Sequence, residues 1–152
     1  EIAPGGQGIV TSDLTKVEEP VHIKVRGSAP SFARREGNQL SMAVTNSFRL
    51  TPSYASLSQR RHDVRLLAFS ALEDRYTIKL PPGSKIISAP SNVTQDGRFG
   101  TYSVSVEQDH DQITVQSRLV VKVDRVTPKD YQAWKSFCEA ADRAFNPRLV
   151  IE

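Results

Sequence analysis

Apolar and polar residues alternate with a period of two along several stretches of the chain. Val21, Ile23 and Val25 fall on one side of an extended segment and His22, Lys24 and Arg26 on the other, the pattern of a half-buried strand. Gly27-Ser28-Ala29-Pro30 ends it. Glu36-Gly37-Asn38 predicts a turn into a second strand over 39–44. Thr51-Pro52-Ser53-Tyr54 and Ser56-Leu57-Ser58 predict a polar loop, followed by a short strand near 62–67 with Val64 and Leu66 on one face. Tyr76, Ile78 and Leu80 alternate with Arg75, Thr77 and Lys79 before the hard turn Pro81-Pro82-Gly83, and 85–88 is again extended. Phe99, Tyr102, Val104 and Val106 stand among Thr101, Ser103, Ser105 and Glu107.

After Asp109-His110-Asp111 comes the longest run, from Gln112 to about Val126. It puts Ile113, Val115, Leu119, Val121 and Val123 on one face and Arg118, Lys122 and Asp124 on the other. The short polar link makes this run and the one before it an antiparallel hairpin. A run of this length exceeds the usual strand of about six residues, so it is expected to bend or to span two sheets.

The period then changes. Thr127-Pro128-Lys129-Asp130 reads as a helix start, with Thr127 as N-cap, Pro128 at the first helical position and Asp130 near the positive end. Tyr131, Trp134, Cys138, Ala141 and Phe145 recur at three- and four-residue spacing, Phe137 widens that face, and Asn146-Pro147 stops the helix. A lone helix of roughly 18 residues is marginal in water, so the aromatic stripe is expected to pack on the sheet, with Trp134 and Phe137 largely buried. The patterning predicts a mainly β fold: an antiparallel β-sandwich of about seven to nine strands with one C-terminal amphipathic α-helix, 128–145, packed on it. The expected organisation is a single domain over 1–152, with a lead-in arm or edge strand over 1–19, the sandwich over 20–126 and the helical segment over 127–146.

Composition narrows the classes of function. With 152 residues, 38% of them hydrophobic, there is material for one core. No apolar run approaches the roughly 20 residues that span a bilayer, so this domain is not expected to insert into a membrane. The net charge is +3, and acids are interspersed among the bases. Arg34-Arg35 has Glu36 beside it, and Arg60-Arg61-His62 has Asp63. These read as solvated loop charges, and no nucleic-acid partner is expected. The start, Glu1-Ile2-Ala3-Pro4-Gly5-Gly6, has neither the basic nor the apolar region of a signal peptide, and the chain is expected to be a piece of a longer or processed protein.

Candidate chemistry is sparse. Cys138 is the one thiol, yet it sits well along the helix on its apolar stripe, away from the helix N-terminus that would activate it. A lone cysteine forms neither an internal disulfide nor a zinc cage. His22, His62 and His110 have no second ligand at metal spacing, and Asp109-His110-Asp111 reads as a solvated turn. There is no G-x-S-x-G elbow and no phosphate loop, and Gly5-Gly6-Gln7-Gly8 reads as a flexible lead-in. The sequence thus predicts no catalytic, metal or cofactor-binding residues. The aromatics Tyr131, Trp134 and Phe137 read as core rather than a sugar platform. Tyr54, in its loop, and the neighbouring Arg60 and Arg61 are the candidate partner contacts.

Three segments, in order, resemble bacterial transglutaminase-like proteins that carry an N-terminal DUF3857 domain. They are Leu50-Thr51-Pro52-Ser53-Tyr54-Ala55-Ser56-Leu57-Ser58-Gln59-Arg60-Arg61, then Tyr76-Thr77-Ile78-Lys79-Leu80-Pro81-Pro82-Gly83, then Phe99-Gly100-Thr101-Tyr102 with the long strand and Val126-Thr127-Pro128-Lys129-Asp130-Tyr131. The resemblance covers about 20–145. In that family such features form a β-rich module behind the catalytic core, and the catalytic Cys, His and Asp belong to the core, so none carries over to this chain. The resemblance implies a non-catalytic C-terminal accessory domain that packs against or orients a papain-like core of the same polypeptide, and a periplasmic or extracellular setting. The alternative is an independent binding module for a cell-envelope polymer or a partner protein. A weak homodimer, formed with a second copy, is a further expectation.

Overall fold

The computed structural model describes residues 7–10, 15–16, 18, 23–26, 32–45, 48–66 and 71–152, with 7–10 and 23–26 described as backbone. Contacts gather the chain into two compact units, Glu1–Arg34 and Arg35–Glu152, where the sequence reads as one domain. In the first unit β1 (Gln7–Val10) pairs antiparallel with β2 (Ile23–Arg26), Gln7 opposite Arg26 and Val10 opposite Ile23. The alternating run therefore forms a strand, and the lead-in contains one as well. Val21, His22, Gly27-Ser28-Ala29-Pro30 and most of the lead-in over 1–19 lie outside the described residues.

From the unit boundary onward, β3 (Arg34–Glu36) and β4 (Gln39–Ala43) flank a turn at Gly37. Its φ of 62° is the left-handed region that glycine enters without a Cβ penalty. There follow α1 (Leu50–Tyr54), β5 (Val64–Arg65), β6 (Ala71–Lys79), β7 (Ile86–Ser88), β8 (Val93–Asp96), β9 (Gly100–Asp109), β10 (Gln112–Val121), β11 (Arg125–Val126), α2 (Tyr131–Ala144) and β12 (Arg148–Ile151). One sheet has the order β6-β10-β9-β8 and a second β3-β4-β12-β7, while β5 and β11 form a two-stranded ribbon. The fold is mainly β and the recorded pairings are antiparallel, as the patterning predicts.

The β9–β10 hairpin closes through His110, whose φ is 46°. Its register puts Val115 between Tyr76 and Val106, and Leu119 between Leu72 and Tyr102. Ile113, Val115, Leu119 and Val121 are all buried. The long run bends after Val121: Val123 falls in the bend, half-buried, and Arg125–Val126 crosses to pair with β5.

Four expectations need correction. Twelve strands are described rather than seven to nine; the surplus includes several of only two to four residues. Thr51-Pro52-Ser53-Tyr54 is helical, not a loop. α2 starts at Tyr131, three residues later than expected, because Thr127 and Asp130 close a turn on each other. The Asp130 N–H donates to the Thr127 carbonyl at 3.0 Å, and the Thr127 hydroxyl donates to the Asp130 carboxylate at 2.9 Å. Finally, Asn146-Pro147 stops the helix as expected, but the chain then adds β12 in the middle of the second sheet.

α2 lies on β9 through rings. Tyr131, Trp134, Cys138, Ala141 and Phe145 are buried as their spacing predicts, while Phe137 is half-buried. Trp134 stacks on Phe137 with centroids 5.6 Å apart and meets Phe99 edge-on at 5.5 Å. Tyr102 touches Phe137 at 5.8 Å and Phe145 at 6.2 Å. Gly100 permits this approach: a Cβ there would stand 2.2 Å from the Val120 carbonyl oxygen and 3.1 Å from the Phe137 ring. In the second sheet Leu149 opposes Met42 and Ile151 opposes Leu40, so one face of β12 is apolar and buried.

Candidate functional site

Tyr54, Arg60 and Arg61 all lie on one segment, residues 49–61, which runs antiparallel along the flank of α2. The segment contains little regular structure of its own, so its backbone groups need partners, and α2 supplies them from side chains. The first N–H groups of a helix have no intrahelical acceptor. In α1 they donate to Asp142, Leu50 to Oδ1 at 2.7 Å and Thr51 to Oδ2 at 2.9 Å. The Arg49 side chain makes no cap bond. Lys135 Nζ donates to the Ala55 carbonyl at 2.9 Å. The Tyr131 hydroxyl serves Leu57 twice, donating to its carbonyl at 2.9 Å and accepting from its N–H at 3.2 Å. Gln132 donates to the Ser58 carbonyl.

This arrangement assigns the three candidate contacts different roles. The Arg60 guanidinium lies over the Tyr131 ring, 5.7 Å from its centroid, half-buried and with Nε lacking a hydrogen-bond partner among the described residues. Its placement ties the segment to α2 through a cation–π contact. Tyr54 is half-buried at the end of α1, and Arg61 is exposed. Asp63, which the sequence sets beside the basic cluster, pairs with Arg125 of β11. Leu57, 49% exposed between these residues, was not singled out by pattern and is the apolar side chain this surface offers. A cation and an apolar side chain on a fixed backbone can bind a partner, but they supply neither an acid–base pair nor a nucleophile.

Cys138 is completely buried, and burial first, then the charge of Asp142, pushes its thiol far above the ordinary value. At neutral pH it is a neutral thiol, a poor nucleophile. His62 is exposed, and His110 Nδ1 sits 2.6 Å from Asp109 Oδ1 in the exposed hairpin turn. His22 lies outside the described residues. Among the described residues no three His, Cys, Asp or Glu side chains gather as a metal site, and no helix is long and apolar enough to cross a membrane.

Among solved structures, the fold is similar to that of a "putative protease" from Parabacteroides distasonis, with a TM-score of 0.59 and 16% identity over 74% of this chain. This chain spans only 23% of that protein's length. No curated protein matches the sequence. Residues 38–151 match the family described as a domain of unknown function with solved structure, DUF3858, and the chain belongs to that family.

Proposed function

We propose that this domain is a non-catalytic accessory module of a larger bacterial protein, one that packs against or orients a transglutaminase-like, papain-like catalytic core. The observation that carries the reading is one of proportion: the shared fold occupies 23% of a chain described as a protease, which leaves the greater part of that protein for other work. The sealed thiol of Cys138 and the purely adhesive surface of 49–61 support it. The finer resemblance, to proteins with an upstream DUF3857 domain, belongs to the same reading and rests on the ordered segments from Leu50 to Tyr131.

The test compares the full-length polypeptide with a version lacking residues 38–151, measuring melting temperature, peptide hydrolysis and Gln–Lys crosslinking, and then adds the isolated domain back. The expected result is a core that is less stable or less active without the module and that binds the module in trans. The isolated domain should show no thiol-dependent turnover. If the core is indifferent to deletion and addition alike, the domain is an independent binding module. If the isolated domain turns over substrate and Cys138→Ser abolishes that, it is an enzyme.

A further inference from the structure

We infer that the cleft between β8 and α2 receives an extended peptide segment, added as a further strand at the edge of the sheet and carrying a carboxylate to Arg143. This inference does not rest on the accessory reading.

The edge comes first. Gly97 and Gly100 exchange both of their backbone hydrogen bonds, at 3.0 and 3.2 Å. Antiparallel ladders alternate hydrogen-bonded and non-bonded pairs. With Val93 opposite Val104 and Gln95 opposite Tyr102, those two are the bonded pairs, and Thr94 and Asp96 turn their N–H and C=O groups away from β9. The Asp96 carbonyl accepts from Gln95 Nε2 at 3.2 Å. Among the described residues no strand pairs with this outer edge, so Thr94 presents a donor and an acceptor at the spacing an added strand requires.

The cleft lies on the same side of β8 as Val93. Its volume is about 370 Å³, with Val93 and Tyr102 at its base and Ala140, Ala144 and Pro147 along its wall. Ala140 and Ala144 stand one turn apart on α2, and their small side chains leave the width. Phe137 and Phe145 hold the Tyr102 ring in place. Alternate side chains of a strand added at Thr94 would project to this side, where aliphatic groups fit.

Charge selects the occupant. Arg143 lines the cleft and is exposed. The acids near it on α2 are engaged elsewhere, Asp142 with the α1 backbone and Glu139 with Lys135 at 3.5 Å. On β8, Asp96 is held by Lys122 and by Thr101 at 2.6 Å. Among the described residues no acid pairs with the Arg143 guanidinium, which favours an Asp or Glu side chain or a terminal carboxylate as its occupant.

The test selects a displayed library of random linear peptides against the 152-residue chain, then titrates the enriched peptides by fluorescence anisotropy against the parent, Arg143→Glu and Ala144→Phe. The expected outcome is enrichment of sequences with alternating aliphatic residues and an acid. Arg143→Glu should weaken binding about tenfold or more, the loss of one charge-assisted hydrogen-bonded contact, and Ala144→Phe should abolish it. The Thr94 amide resonance should shift on binding. If Ala144→Phe does not fold, the exposed Arg143→Glu variant and the Thr94 shift decide. No enrichment over an unrelated control protein, or peptides that bind the folded variants as well as the parent, overturns the inference.

Discussion

On the flank of α2 that faces β9, Trp134, Phe137 and Phe145 meet Phe99 and Tyr102 through rings. On the flank that faces residues 49–61, Asp142 and Tyr131 meet the backbone through two hydrogen bonds each and Lys135 and Gln132 through one each. The first flank buries area, which is non-directional and large. The second fixes the path of a segment that has little regular structure of its own, with modest net stabilisation per bond. The ring flank should therefore dominate stability, and the polar flank should dominate local order.

Trp134→Ala tests the first half and should have the largest effect, a loss of about 3–5 kcal/mol in denaturant unfolding. If that variant melts with the parent, α2 is not held by its rings. Gly100→Ala should follow, at about 1–3 kcal/mol, because the added carbon meets the Val120 carbonyl and the Phe137 ring. A neutral result would mean that β9 and β10 are looser than their register implies. Asp142→Ala leaves two backbone N–H groups of α1 without their acceptors, at a cost of about 1–2 kcal/mol. Its signature is faster hydrogen exchange at Leu50 and Thr51 with α2 still protected. Exchange that rises equally in both helices would erase the distinction between the flanks.

Tyr131→Phe keeps the buried ring and removes only the hydroxyl that bridges Leu57, so about 1 kcal/mol is expected, with exchange at the Leu57 amide as the local readout. The smallest effect concerns pH and lies away from α2. Hydrogen bonds from Lys122 and then Thr101 hold the exposed Asp96 carboxyl at a pKa of about 2, below its ordinary 3.8. Since the folded value is the lower one, its stabilising contribution is present above the unfolded pKa and is lost as pH falls through about 2. A carboxyl NMR titration of Lys122→Ala should move Asp96 back up; an unchanged midpoint would show that Lys122 is not its partner in solution.

The same contrast explains what could be read from the sequence. The buried stripe that carries the ring flank was legible because Tyr131, Trp134, Cys138, Ala141 and Phe145 repeat with the helical period and lie within one short window. The polar flank was not, because Leu50 and Asp142 are 92 residues apart and nothing local about Thr51-Pro52-Ser53-Tyr54 announces a helix whose cap comes from elsewhere. β8 escaped because an edge strand needs little burial: Val93 is half-buried and Thr94, Gln95 and Asp96 are exposed. β12 escaped for the opposite reason. Leu149, Val150 and Ile151 are consecutive apolar residues between two neighbouring strands, and they show no alternation. Of the candidate contacts, Arg60 was legible as a residue of interest, but its attachment to Tyr131 was not, since a cation–π contact leaves no spacing rule across 71 positions.

The position of β12 has a consequence for the order in which the molecule assembles. β4 and β7 both precede β12 in the chain, yet each pairs with it in the finished sheet, and Arg148 reaches Ser41 across 107 residues of sequence. Closing so long a loop is entropically costly and slow relative to local pairing. The β9–β10 hairpin can form from neighbouring segments as soon as they exist. The second sheet must wait for its middle strand. Until then β4 and β7 present open edges of the kind that invite pairing with other chains, so the docking of β12 also ends the interval in which this domain is most exposed to misassembly.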